Sequence, residues 1–272
     1  MSVTLNQIII GDNNPFVLIA GPCVVESEKL ILETAEAIKK ITSEVGISFI
    51  FKSSFKKANR TNLKSFTGLG DEESIAILKK VKDNLNLSVV TDIHTESDIE
   101  KVCDAVDILQ IPAFLSRQTD LLIAAGKSGK VVNIKKGQFL APEDMKHAAD
   151  KVASTGNKKI MLTERGTTFG YHNLVVDMRS LVIMRELGYP VVMDATHAVQ
   201  LPSKDLISGG QPIFIKPLAR AAMAVGIDAL FLEVHPDPIN ALSDAASQLP
   251  LSELRELLIE MKQIDQIIKN KR

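Results

Sequence analysis

Eight short apolar runs, each followed by a longer stretch of helical periodicity, recur along the chain without interruption. The strand-like runs are 16–20, 49–53, 88–93, 108–112, 131–135, 160–164, 190–194 and 229–234. The amphipathic stretches are 28–44, 71–85, 96–106, 118–127, 142–154, 174–187, 217–226 and 251–269. Strands joined by helices pair in parallel, because parallel neighbours need a crossover connection. Eight such units in 272 residues fit a closed (β/α)8 TIM barrel, which takes roughly 250 residues, better than an open doubly wound sheet. The expected fold class is therefore α/β. No linker or shift in composition divides the chain, so residues 1–272 read as one barrel domain, with 1–15 as an N-terminal arm or hairpin outside it. Ser27 before Glu28, and Pro142 followed by Glu143 and Asp144, are helix-start signals.

Composition narrows the functional classes. With 32 Lys plus Arg against 33 Asp plus Glu, the chain is neither a polybasic nucleic-acid binder nor a charged disordered tail. Aromatics are 4% with no Trp, so stacking platforms are not widespread. Two cysteines give no disulfide framework and suit a reducing compartment. Ile8–Ile10 is too short for a signal h-region and no apolar run reaches bilayer length. The expectation is a cytoplasmic protein without a membrane or nucleic-acid partner.

Reactive side chains gather where the strands end: Cys23, Lys52 with Ser53 and Ser54, Asp92, Gln110, Lys135, Glu164 with Arg165, Asp194 to His197, and Glu233. A barrel builds its active site at those C-terminal strand ends. General loop polarity explains Ser and Asp there, but not Lys52, Lys135 and Glu233 within apolar runs, where an unpaired charge is costly.

One arc is cationic. Lys52, Lys57 and Arg60 follow the second strand, Arg117 the fourth, Lys135 and Lys136 the fifth, and Arg165 the sixth. Cations converging on one mouth in a chain of net charge −1 imply an anionic ligand. Two clusters suggest two anionic groups: two phosphorylated substrates or one bisphosphate. Lys136 reads as a solvated residue, since strand neighbours face opposite ways. A Schiff-base lysine at position 52 or 135 is the alternative, but several cations compete and none is singled out.

The other arc joins Cys23, His197, Glu233 and Asp244, which barrel closure brings together from the first, seventh and eighth strands. A thiolate, an imidazole and two carboxylates suit one divalent metal ion of intermediate softness, with Zn²⁺, Fe²⁺ and Mn²⁺ all open. Phe231, Glu233 and His235 share one strand face. Cys103 falls at helical spacing with Ile99, Val102 and Val106 and reads as a core thiol. His147 reads as solvent-facing, and His172 as structural or supporting. His94 and His235 stand near strand ends with less claim to the site than His197.

The motifs Leu18-Ile19-Ala20-Gly21-Pro22-Cys23, Phe51-Lys52-Ser53-Ser54-Phe55, Lys57-Ala58-Asn59-Arg60, Gln110-Ile111-Pro112-Ala113-Phe114-Leu115, Arg117-Gln118-Thr119-Asp120, Asn133-Ile134-Lys135-Lys136-Gly137-Gln138-Phe139, Leu162-Thr163-Glu164-Arg165-Gly166 and Asp194-Ala195-Thr196-His197 closely resemble the 3-deoxy-D-manno-octulosonate 8-phosphate synthase family. The resemblance runs in unbroken order over residues 16–260.

It implies a cytoplasmic TIM-barrel homotetramer that condenses phosphoenolpyruvate with D-arabinose 5-phosphate and releases phosphate, in synthesis of the lipopolysaccharide inner-core sugar. It further implies that Lys57, Lys135 and Arg165, with Lys52, Ser54, Gln110 and Ala113, hold phosphoenolpyruvate. Asn59, Arg60 and Thr61 hold the pentose phosphate, with Arg117 reaching in from a neighbouring subunit. Family members usually carry Ser where this chain has Thr61, which keeps the hydroxyl. Cys23, supported by Ser243-Asp244-Ala245, resembles the metal-dependent class, where Asn marks the metal-independent one. The expected catalytic set is Lys57, Lys135, Arg165, Asp92 and His197.

A related family, 3-deoxy-D-arabino-heptulosonate 7-phosphate synthase, typically has Lys-Pro-Arg where this chain has Lys57-Ala58-Asn59-Arg60. An amide at Asn59 can bond a sugar hydroxyl that Pro could not. A non-catalytic phosphosugar-binding barrel is the third reading; it would not need Cys23, Lys57 or Arg165, all of which are present.

Overall fold

In the computed structural model, residues 1–59, 65–170, 172–201 and 209–270 are described. Eight parallel strands form the barrel among them: β1 (Val17–Gly21), β2 (Phe49–Lys52), β3 (Ser88–Asp92), β4 (Ile108–Ile111), β5 (Val131–Lys135), β6 (Ile160–Glu164), β7 (Val191–Asp194) and β8 (Ala229–His235). Each pairs with its sequence neighbour, and β8 pairs with β1 through Leu230↔Leu18 and Phe231↔Ile19, which closes the cylinder. The outer helices are α1 (Glu28–Val45), α2 (Asp71–Leu85), α3 (Glu96–Val102), α4 (Thr119–Lys127), α5 (Met145–Ala153), α6 (Arg179–Glu186), α7 (Ile215–Val225) and α8 (Leu251–Lys269). The TIM barrel expected from the sequence is thus present. Residues 1–15 hold an antiparallel hairpin, Ser2–Leu5 with Ile8–Gly11.

Strand parity sorts the core into two clusters. Val17, Ile19, Ile50, Val90, Ile108, Val131, Met161, Val192, Ala229 and Phe231 pack inside, where Val3, Leu5 and Ile10 of the hairpin join them. Their neighbours Leu18, Phe51, Val89, Leu109, Val132, Leu162, Met193 and Leu230 pack outward against the helices. Two residues further along, the inward positions of every strand but β1, which ends in Gly21, turn polar: Lys52, Asp92, Gln110, Asn133, Thr163, Asp194 and Glu233. The barrel is an apolar plug below a buried polar layer, and the site rests on that layer.

Side-chain caps explain the starts of three helices, α1, α3 and α6. Ser27 Oγ accepts the Leu30 N–H at the head of α1, and Thr95 and Asp98 close a capping box on α3. The sixth helix begins later than its apolar pattern suggests. Leu174–Val175 instead pairs with Thr167–Thr168, and Asp177 Oδ1 accepts the Arg179 N–H at the true helix start. The fifth is preceded by a 3₁₀ turn over Pro142–Asp144, and the third is shorter than expected, ending at Val102.

One expectation needs correcting. Lys136 is not solvated: it is fully buried on the outward face of the barrel wall, donating to Thr167 Oγ1 (3.0 Å) and to the Gly137 and Leu140 carbonyls, 3.6 Å from Glu164. Facing away from the lumen in a TIM barrel means facing the helix layer rather than water.

Candidate active site

The strand ends open into a narrow cleft lined by Cys23, Lys52, Ser54, Lys56, Lys57, Asn59, Asp92, His94, Pro112, Ala113, Phe114, Lys135, Arg165, His197 and Glu233. Residues from most of the strands therefore meet at one mouth, as the two expected arcs require.

On the cationic side, Arg165 is buried, and its NH2 donates to Gln200 Oε1 (3.0 Å). Among the described residues its Nε and NH1 have no hydrogen-bond partner. A buried guanidinium with free donors facing a cleft is suited to an oxyanion. Lys135 Nζ sits 2.7 Å from Asp194 Oδ2 and 4.1 Å from the centre of the Phe231 ring. Lys52 Nζ donates to Glu233 Oε1 and to the Cys23 carbonyl, each at 3.0 Å, and lies 3.5 Å from Asp92. Burial works against charge on Lys52, but Glu233 and Asp92 outweigh it and hold its pKa above the usual lysine value. Burial likewise opposes ionisation of Asp92, yet Lys52 and Lys135 keep it well below the usual carboxylate range.

On the other side, single ligand atoms of Cys23, Glu233 and Asp244 lie within 4.8 Å of one another. His197 completes the set. Its Nδ1 is 2.8 Å from Asp194 Oδ2, while Nε2 is 3.5 Å from Glu233 and 3.9 Å from Asp244. A carboxylate on Nδ1 orients the ring and leaves Nε2 directed at the cluster, the arrangement found behind metal-binding imidazoles. Glu233 Oε2 is buried without a hydrogen-bond partner among the described residues, a costly state that a cation would relieve. Burial first, and Glu233 second, push the Cys23 thiol far above its ordinary pKa, so a cation is what would make it a thiolate. The donor set therefore fits a divalent metal. Lys57 Nζ stands beside the cluster, 2.5 Å from Asp244 Oδ2 and 3.4 Å from Cys23 Sγ.

Most sequence-chosen residues meet here: Lys52, Ser54, Lys57, Asn59, Asp92, Ala113, Lys135, Arg165 and His197 line the cleft with Cys23 and Glu233, and Asp244 is buried behind them. Gln110 lies beneath the cleft, fully buried, with its amide bonded to Asp92 and Asn133. Arg117 is exposed and lines no part of its own chain's cleft. Arg60 and Thr61 fall outside the described residues. Of the other singled-out histidines, His94 lines the mouth, His235 is buried 3.6 Å from Glu26, and His147 is exposed. Cys103 is half-buried against the core.

Gln200 escaped the sequence reading altogether, and two residues it names have roles it did not assign. Asp194, marked only as a strand-end residue, supports both Lys135 and His197, and its i, i+3 spacing to His197 was the available signal. Gln200 links Arg165 to Asp244, its Nε2 being 3.2 Å from Asp244 Oδ2; no pattern marks it. Phe231 forms an aromatic floor under Lys135 and Lys52.

Residues 1–270 match the DAHP synthetase I family. The 2-dehydro-3-deoxyphosphooctonate aldolase of Syntrophotalea carbinolica is 58% identical over 264 residues, spanning 97% of this chain and 95% of the relative. The protein of that name from Geobacter sulfurreducens is 52% identical over 268 residues, 98% of each chain. That of Francisella tularensis subsp. holarctica is 52% identical over 262 residues, 96% of this chain and 95% of the relative. That name denotes the octulosonate 8-phosphate synthase that the motifs resemble. On this identity over nearly its whole length, the chain belongs to the DAHP synthetase I family and, within it, to the 2-dehydro-3-deoxyphosphooctonate aldolases.

Proposed function

We propose that the protein is a transferase condensing phosphoenolpyruvate with D-arabinose 5-phosphate to 3-deoxy-D-manno-octulosonate 8-phosphate and phosphate, for the lipopolysaccharide inner-core sugar. The observation that carries this reading is the buried guanidinium of Arg165, two of whose nitrogens lack a hydrogen-bond partner among the described residues, in the same cleft as the cluster of Cys23, His197, Glu233 and Asp244. The names of the relatives agree with it.

In the reaction, C3 of the enol attacks the aldehyde carbon of the open-chain pentose, water adds at C2, and the C2–O bond breaks to release inorganic phosphate. Arg165, Lys135, Lys57 and Lys52 offset the repulsion between two anionic substrates and hold phosphoenolpyruvate against Ser54 and Ala113. Asn59, with Arg60 and Thr61, takes the pentose phosphate. Asp92 stays anionic beside Lys52 and Ser54 and orders both. Cys23, His197, Glu233 and Asp244 would hold one divalent ion, which would supply Lewis acidity to the cleft; Zn²⁺, Fe²⁺ and Mn²⁺ all suit the donors.

The proposed assembly is a homotetramer with Arg117 crossing into a neighbouring site. The exposed Phe114, Phe139 and Phe169 on the loops after β4, β5 and β6 support a contact surface on that side. No helix among the described residues is long and apolar enough to cross a membrane, and a cytoplasmic location is proposed with the pathway.

Phosphate release measured with each sugar phosphate tests the reading. A kcat/KM at least tenfold higher with arabinose 5-phosphate than with erythrose 4-phosphate is expected. The reverse preference establishes the heptulosonate reaction instead, and binding of both substrates without release establishes a sensor.

A further inference from the structure

A chain of buried side chains crosses four barrel strands beneath the cleft. Thr163 Oγ1 donates to Asn133 Oδ1 at 2.7 Å, Asn133 Nδ2 to Gln110 Oε1 at 2.9 Å, and Gln110 Nε2 to Asp92 Oδ1 at 2.8 Å. Asp92 Oδ2 accepts from Ser54 Oγ and lies 3.5 Å from Lys52 Nζ. Thr163, Asn133 and Gln110 are fully buried and do not line the cleft; Asp92 does.

The direction of the chain follows from its end. An ionised carboxylate can only accept, so Gln110 must turn its NH₂ to Asp92 and its carbonyl to Asn133. Asn133 must then turn its own NH₂ to Gln110 and its carbonyl to Thr163, whose hydroxyl is the one group there able to donate. Each amide orientation is thus imposed by its neighbour rather than chosen locally, and a break at Thr163 takes the donor from Asn133 Oδ1 and leaves the chain anchored from the Asp92 end alone.

We propose that Thr163 and Asn133 are positioning residues for the condensation, acting through Gln110 to hold the Asp92 carboxylate at the angle at which it orders Lys52 and Ser54 in the cleft. This deepens the condensation reading and rests on it. Displacing a group that orders reacting partners costs rate out of proportion to stability. A role confined to satisfying buried polar atoms would lower stability and leave the rate per folded molecule unchanged.

Three substitutions separate these, each assayed by phosphate release with thermal unfolding alongside. Thr163→Val, nearly isosteric but without a donor, is expected to lower kcat roughly tenfold with KM changed less, and Thr163→Ser to restore it. Asn133→Asp reverses the chain while ionised, because the new carboxylate cannot donate to Gln110; protonated, it can donate to Gln110 and accept from Thr163. Burial and the nearby Asp92 raise the pKa of the new acid, so the ratio of variant to wild-type kcat is expected to climb as pH falls. A wild-type kcat in Thr163→Val, a Thr163→Ser no better than Thr163→Val, or a pH-independent ratio for Asn133→Asp overturns the proposal. Wild-type turnover is the control. Its absence defeats the condensation reading and this role together, whereas normal wild-type turnover with unaffected variants defeats the positioning role alone.

Discussion

Lys52 Nζ and Glu233 Oε1 are 3.0 Å apart and both residues are buried. A cation of the substrate cradle and a carboxylate of the donor cluster are therefore one ion pair, and the two arcs of the mouth are joined rather than merely facing.

That pair predicts a metal-dependent stability defect. Lys52→Met leaves Glu233 without its cation, at a cost of about 3 kcal/mol for an uncompensated buried charge. A divalent ion on Glu233 offsets the loss. Metal-free Lys52→Met should melt well below metal-free wild type, and added metal should raise its Tm by more than it raises that of wild type. Equal gains in the two proteins would show that Glu233 does not meet the ion.

Arg165→Lys keeps the charge and loses the fork. Two guanidinium nitrogens with no hydrogen-bond partner among the described residues are expected to grip one phosphate or carboxylate, so the lysine variant should raise KM for phosphoenolpyruvate by roughly tenfold or more. KM for the pentose phosphate should change little. Initial-rate kinetics with one substrate varied at a time reads the difference.

Gly21 ends β1 at φ +155°, and a Cβ there would run into the Lys52 carbonyl and the Phe51 ring. Gly21→Ala must push β1 away from β2 just below Cys23 and Lys52. The expected cost is about 3 kcal/mol, with metal content falling alongside, read by thermal melting and elemental analysis. An alanine variant with normal Tm and full metal content would refute this close approach.

Asp98 predicts the acid side of the stability profile. Burial opposes its charge, but Lys56 at 2.7 Å and the backbone N–H groups of His94 and Thr95 hold its pKa below the usual carboxylate range. Its contribution is complete above the unfolded pKa of about 3.9 and is lost as pH falls through the lower folded value. Asp98→Asn should reduce stability near neutrality by about 1 kcal/mol and flatten the decline in Tm on acidification. An unchanged slope would remove Asp98 from the acid response.

How much of this was legible in the sequence depends on which face of a strand each residue takes. Cys23, His197 and Glu233 stand out because charge or thiol at the end of an apolar run has few structural uses, and barrel closure alone brings strands seven, eight and one together. Lys136 misled because parity says only that a side chain leaves the lumen; whether water or a helix waits outside is a tertiary fact. Leu174 and Val175 looked helical because apolar pairs fit either period, and pairing with Thr167 and Thr168 decides the matter. Gln200 was invisible, since its role exists only when Arg165 and Asp244 are both in place.

The most direct test of a thiol-containing cluster and a cationic cradle acting on one reaction is to strip the protein with a chelator and titrate a divalent ion back while following phosphate release from phosphoenolpyruvate and arabinose 5-phosphate. Activity should vanish on stripping and return in proportion to bound ion, saturating at one ion per chain, and His197→Ala should neither bind the ion tightly nor recover. Full turnover by metal-free wild type would contradict the role assigned to Cys23, His197, Glu233 and Asp244.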